Sequence, residues 1–112
     1  MQADSTRPIW VSETSFQHTV LDLARLRGWK VCHFRPGLDR RGRWSTPMQG
    51  DPGFPDLVMT RKGRLIFAEL KSDKGKPAPP AQEEWLAALR ETAAGVYEWR
   101  PADWENIMEI LK

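Results

Sequence analysis

Two short apolar runs, Leu57–Thr60 and Leu65–Leu70, are joined by Arg61-Lys62-Gly63-Arg64, and no other stretch restricts the fold as tightly. Val, Ile and Phe on either side of a Lys-Gly pair predict a β-hairpin. A two-residue turn at Lys62-Gly63 would pair Arg61 with Arg64 and bring Asp56 opposite Glu69. Lys71 lies two residues beyond Glu69 and so points to the same face. Directly paired Cβ atoms sit roughly 4.5–5.5 Å apart. At that separation each carboxylate disfavours ionisation of the other unless a cation intervenes, and a divalent metal is the simplest such cation. A three-residue turn with Gly63 in the left-handed position is the competing register. It would slide the pairing by one and put Ala68 opposite Asp56. On spacing alone, an ordinary hairpin with charged ends is the other reading.

The 112 residues suit one domain, 1–112, with a modest core. Apolar residues make up 40% and charged residues 29%, and no apolar run approaches the roughly 18 residues of a membrane span. The segment MQADSTRPIW lacks the basic stretch and apolar run of a secretory signal. Cys32 is the single cysteine and forms no internal disulfide, so a cytoplasmic location is expected. Net charge is only +2, but it is unevenly spread. Residues 25–76 hold 13 Lys/Arg against 5 Asp/Glu, while the flanks are acidic. A basic surface around an acidic pocket suits a polyanion that must meet a metal. The plain alternative is a chance excess of solvated charge.

Ser12 to Arg27 predicts a first helix with Phe16, Val20, Leu23 and Ala24 on one face. Ser12 caps it and Gly28 stops it. Glu13 lies one turn before Phe16 and Gln17 and continues the inward stripe; the plainer reading is a first-turn acid favoured by the helix dipole. Trp29–Arg35 predicts the first strand. His33 and His18 have no ligand partner nearby and default to packed or surface residues. Residues 36–55 show no periodicity and are expected to form a long basic loop, with residues 1–11 flexible. In that loop Arg40, Arg41 and Arg43 precede Trp44, a combination suited to phosphate contacts and base stacking. After Lys71 the chain is polar, with Lys74 and Lys76 able to flank a phosphate chain. Pro80 opens a second helix, Ala81 to Ala93, which places Gln82, Trp85, Leu86 and Leu89 together. Gln82 thus points inward at the anion-favouring end of the helix, where the plain reading is a structural glutamine at a buried edge. Val96–Trp99 is a further strand, and Ala102 to Leu111 a last amphipathic helix. Trp85, Trp99 and Trp104 are expected in the core. There is no P-loop, dinucleotide-binding loop, paired zinc-binding CxxC or Gly-x-Ser-x-Gly elbow.

The expected architecture is α/β, in the order α-β-β-β-α-β-α: a mixed sheet flanked by helices, with the Val96 strand parallel to the Glu69 strand. Here the residues resemble a known family. Pro55-Asp56, then Glu69-Leu70-Lys71, then Gln82 at a helix start, resembles the PD-(D/E)xK nuclease superfamily. Ser12-Glu13-x-x-Phe16-Gln17, Gly53-x-Pro55-Asp56-Leu57 and Trp99-Arg100-Pro101-x-Asp103-Trp104 narrow the resemblance to a stand-alone VRR-NUC domain of the small phage or prophage type. It spans Ser12 to Leu111. The resemblance implies a restriction-endonuclease-like fold in the host cytoplasm. It implies that Glu13, Asp56 and Glu69, with the Leu70 carbonyl oxygen, hold Mg²⁺ or Mn²⁺. Lys71 would orient the attacking water and offset charge, and Gln82 would position Lys71 or a phosphate.

Hard divalent ions suit such an oxygen-rich set. The expected function is a metal-dependent DNA endonuclease acting on structured or branched DNA, four-way junctions included. The DNA contacts would come from Arg35, Arg40, Arg41, Arg43, Trp44, Lys74 and Lys76. With one site per chain, cutting two strands symmetrically needs a homodimer. No membrane and no small-molecule cofactor enters this reading. The alternatives are a non-catalytic nucleic-acid-binding module that keeps the fold, and a structural accessory protein that binds no nucleic acid.

Overall fold

The computed structural model describes residues 12–34, 37–38, 40–45 and 48–112. Residues 1–11 and Arg35, which carry two of the expectations above, lie outside them. Helix α1 spans Glu13–Leu26, and the Ser12 hydroxyl accepts from the Ser15 amide as its N-cap. Gly28, at φ +85°, turns the chain out of the helix, as only glycine does without strain. Strand β1, Lys30–His33, follows.

The segment expected to lack secondary structure contains two short strands, β2 (Gly37–Leu38) and β3 (Trp44–Ser45). They pair with each other as an antiparallel ribbon apart from the main sheet. Pairs of two-residue strands are too short to leave a periodic pattern in sequence.

Strands β4 (Leu57–Arg61) and β5 (Arg64–Leu70) form the hairpin, with Arg61 opposite Arg64 and Leu57 opposite Ala68. The two-residue turn holds because both its residues take positive φ, Lys62 at 49° and Gly63 at 82°. Helix α2 spans Pro80–Arg90, ending three residues before the expected Ala93, because residues 91–94 turn the chain into β6 (Gly95–Trp99). A 3₁₀ turn at Pro101–Asp103 leads into α3, Trp104–Ile110.

The main sheet runs β1-β4-β5-β6, antiparallel except for the parallel β5–β6 pair. The architecture is therefore mixed α/β, a four-stranded mixed sheet flanked by helices. Alternation along β5 divides the two faces. Ile66, Ala68 and Leu70 join Phe16, Val20, Met59, Trp99, Trp104 and Ile107 in the core beneath α1 and α3. Phe67 and Glu69 face the other side, where Phe67 meets Phe54 and Phe54 meets Trp85 of α2, each pair edge to face. Trp85 is thus not a core residue. It is half-buried and donates its indole N–H to the Asp51 carbonyl oxygen at 3.2 Å, anchoring the chain that leads into the hairpin. Among the described residues no helix is long and apolar enough to cross a membrane.

Candidate functional site

The hairpin register brings the two carboxylates together at its open end. Each accepts a main-chain hydrogen bond from across the hairpin's open end. The Asp56 amide donates to Glu69 Oε1 at 3.1 Å, and the Leu70 amide donates to Asp56 Oδ1 at 3.2 Å. Both side chains are therefore fixed by backbone, as a ligand or catalytic group must be. Lys71 Nζ stands 3.6 Å from Glu69 Oε2, and these side chains are only 14% and 11% exposed respectively. Burial pushes the Asp56 carboxyl up to about 8, with the neighbouring Glu69 charge adding to the rise; the two amide donors oppose it without reversing it.

The pair faces a cleft of about 510 Å³ where the N-terminal ends of α1 and α2 meet the open end of the hairpin. Glu13 and Gln17 line it from α1, and Gln82 from α2. Helical spacing puts Glu13 on the inward stripe. It is instead exposed, at the first turn of the helix, but it does border this cleft. Gln82 is 7% exposed, and its side-chain Oε1 is buried with no hydrogen-bond partner. An acceptor left open at that depth is costly unless something in the cleft donates to it. Among the described residues no three His, Cys, Asp or Glu side chains gather into a metal-holding group.

Gly53 explains how Gln82 arrives there. Its φ is +101°, and a Cβ on it would lie 2.6 Å from the Ala81 carbonyl carbon and 2.8 Å from the Gln82 nitrogen. Only glycine lets this loop press against the first turn of α2. The segment after Lys71 is also tied down. Arg100 donates to the Ser72 and Gly75 carbonyl oxygens, and Asp73 accepts from the Ala102 amide at 3.0 Å. Lys74 and Lys76 remain exposed along it.

Arg40, Arg41 and Arg43 are exposed around the turn between β2 and β3. Trp44 begins β3. Arg27, Arg61 and Arg64 of the basic segment bond to main-chain carbonyl oxygens. Arg61 donates to the Arg27 carbonyl oxygen at 2.8 Å and to that of Lys112; Arg64 donates to the Ile110 carbonyl oxygen at 2.7 Å. Arg27 donates to the Met108 carbonyl oxygen.

Two groups escape a reading by sequence alone. Glu98 lies beside Glu69 in the parallel register and shares its face of the sheet, with Oε1 buried and unpartnered and Oε2 4.0 Å from Arg100. The offset between parallel strands depends on the crossover, not on a turn, so no local signal announces it. Phe34, Met48 and Phe54 supply an apolar wall to the same cleft. No family model, curated protein or solved structure gives a match to this chain.

Proposed function

We propose that this chain is a metal-dependent endonuclease that hydrolyses phosphodiester bonds in DNA. One observation carries the reading: two carboxylates, held side by side by the Asp56 and Leu70 amides, with a lysine against one of them and Asp56 held far above its ordinary range. A pair meant only to be buried would be replaced by neutral side chains at lower cost. A divalent cation would resolve the conflict, with Asp56, Glu69 and the Leu70 carbonyl oxygen as hard oxygen donors; Glu13, exposed at the edge of the same cleft, would reach such an ion through water rather than complete a three-carboxylate cage. Such an ion would supply an activated water and neutralise phosphoryl charge.

The protein's own groups do the rest. Asp56 and Glu69 would hold the cation at the open end of the hairpin. The Lys71 ammonium, beside Glu69, stabilises charge developing on the phosphoryl oxygens. It orients water more than it abstracts a proton. Gln82 offers its open acceptor to a water or to the Lys71 ammonium. Lys74, Lys76 and the ribbon arginines would hold flanking phosphates and make binding salt-sensitive. Structured or branched DNA as the substrate, and a homodimer as the cutting unit, rest on the resemblance to VRR-NUC domains.

The test is cleavage of labelled single-stranded, duplex, flap and four-way-junction DNA with Mg²⁺, Mn²⁺ or EDTA, beside Asp56→Ala. Metal-dependent cutting lost in the variant supports the nuclease. DNA bound in every lane and cut in none would favour the non-catalytic module instead.

A further inference from the structure

Resting on the nuclease reading, we propose that Phe34 is a stacking platform for an unpaired base, so that the substrate carries an unstacked nucleotide next to the phosphate facing Asp56 and Glu69. Among the described residues four large apolar side chains are notably exposed: Leu26, Phe34, Met48 and Leu65. Two of them, Phe34 at 40% and Met48 at 49%, line the cleft that holds the carboxylates and Lys71. A cleft that met only phosphate and water would gain nothing from an apolar wall.

Phe34 is also held rigidly. Its amide donates to the Asp56 carbonyl oxygen at 2.7 Å, which couples the ring's position to a residue of the site. Its ring packs edge to face on Phe54, centroids 5.7 Å apart and planes at 81°. Phe54 in turn packs at steep angles on Phe67 and Trp85. Gly53, pressed against α2, fixes the neighbouring Phe54 backbone. A ring braced in this way meets a base without first being ordered, which is how aromatic platforms bind single strands.

An intact duplex offers that ring no open base face. In a paired helix each base has both faces covered by its neighbours. A base reaches a side-chain ring only at an end, a gap, a branch point or after extrusion from the stack. A phosphate at the carboxylates and a base on Phe34 therefore require the strand to be splayed at the cut.

The experiment uses an oligonucleotide with 2-aminopurine at an unpaired position flanking the cut, set at a branch or overhang, beside the same sequence fully paired. Binding is read by 2-aminopurine quenching in Ca²⁺, and cleavage in Mg²⁺. Wild type should quench the unpaired probe and cut the branched substrate at least about tenfold faster than the duplex. Phe34→Leu keeps an apolar side chain but removes the π face, and should lose the quenching and narrow the ratio; Phe34→Tyr should restore both. Equal cutting of branched and paired DNA by wild type, or an unchanged ratio in Phe34→Leu, would overturn the proposal and leave the nuclease standing. If wild type cuts nothing, the nuclease reading fails, and the quenching alone decides the platform: present in wild type and lost in Phe34→Leu supports it, absent in wild type overturns it.

Discussion

At its turn, the β4–β5 hairpin carries two arginines whose charge is taken up by the fold. Arg61 and Arg64 donate to main-chain carbonyl oxygens at the ends of α1 and α3, and both guanidinium groups lie 4.9 Å from the centre of the Trp29 ring. Trp29 itself donates to the Leu111 carbonyl oxygen at 3.0 Å. Cations at helix C-termini and over an aromatic face are stabilising in both respects. At its open end the same hairpin carries two carboxylates packed against each other and one lysine, with Asp56 driven toward its neutral form. One end uses charge to close the fold. The other holds charge in a conflict that the fold does not relieve, and such conflicts mark functional sites.

That contrast breaks most visibly at the open end. Glu69→Gln preserves shape and the acceptor for the Asp56 amide but removes the charge. Cleavage should fall by about 10²–10³ or more, with the thermal midpoint kept or raised and DNA binding largely intact. Activity assays beside a melting curve decide it. Retained cleavage would remove Glu69 from the metal site, and a collapsed fold would make this end structural like the other.

Gly53→Ala tests whether the open end is positioned from outside the hairpin. A Cβ meeting backbone at 2.6 Å, at a φ unsuited to alanine, should cost about 2–4 kcal/mol and displace Gln82. Denaturant unfolding gives the first number. If the variant folds as stably as wild type, the loop does not brace α2.

The hairpin is legible in the sequence, but its register stays open between a two-residue and a three-residue turn until the positive φ of both Lys62 and Gly63 selects the first and sets which residues oppose one another. Asp56 and Glu69 follow from it, and Lys71 from alternation. Glu98 does not, since a parallel neighbour reached through a helix carries no local register. The brief β2–β3 ribbon leaves no pattern, and Trp85 reads as core because helical spacing does not say which side of a sheet a helix covers. The apolar wall is hidden for a related reason. Phe34, Met48 and Phe54 come from separate segments that only the folded chain assembles.

The pH dependence of stability sharpens the comparison further. Asp56 rises from 3.8 to about 8 on folding, so between those values the unfolded chain has released a proton that the folded chain keeps. The unfolded state is then favoured as pH rises, and stability should decline from about pH 4 to pH 8, by on the order of a few kcal/mol. Asp56→Asn should flatten that decline and be the more stable protein at pH 8. Mg²⁺ or Mn²⁺ should raise the wild-type midpoint more at pH 8 than at pH 5, where the proton competes. Melting curves at the two pH values check all three; parallel curves for wild type and variant would mean Asp56 ionises freely.

The smallest effect belongs to the turn. Arg61→Ala removes donors to Arg27, Leu111 and Lys112 carbonyl oxygens and one cation over Trp29. It should destabilise by about 1–3 kcal/mol, because this one side chain ties the C-terminal end of α1 to that of α3. Arg64→Ala, whose bonds are exposed, should cost less, about 0.5–1 kcal/mol. Neither should change the rate of cleavage per folded molecule, nor the slope of DNA affinity against salt. Arg41→Ala with Arg43→Ala should instead lower that slope by about one to two, roughly one unit for each phosphate no longer neutralised. A salt slope that falls in Arg61→Ala would mean that DNA reaches the turn as well, and that the two ends of the hairpin do not divide their labour as their hydrogen bonds suggest.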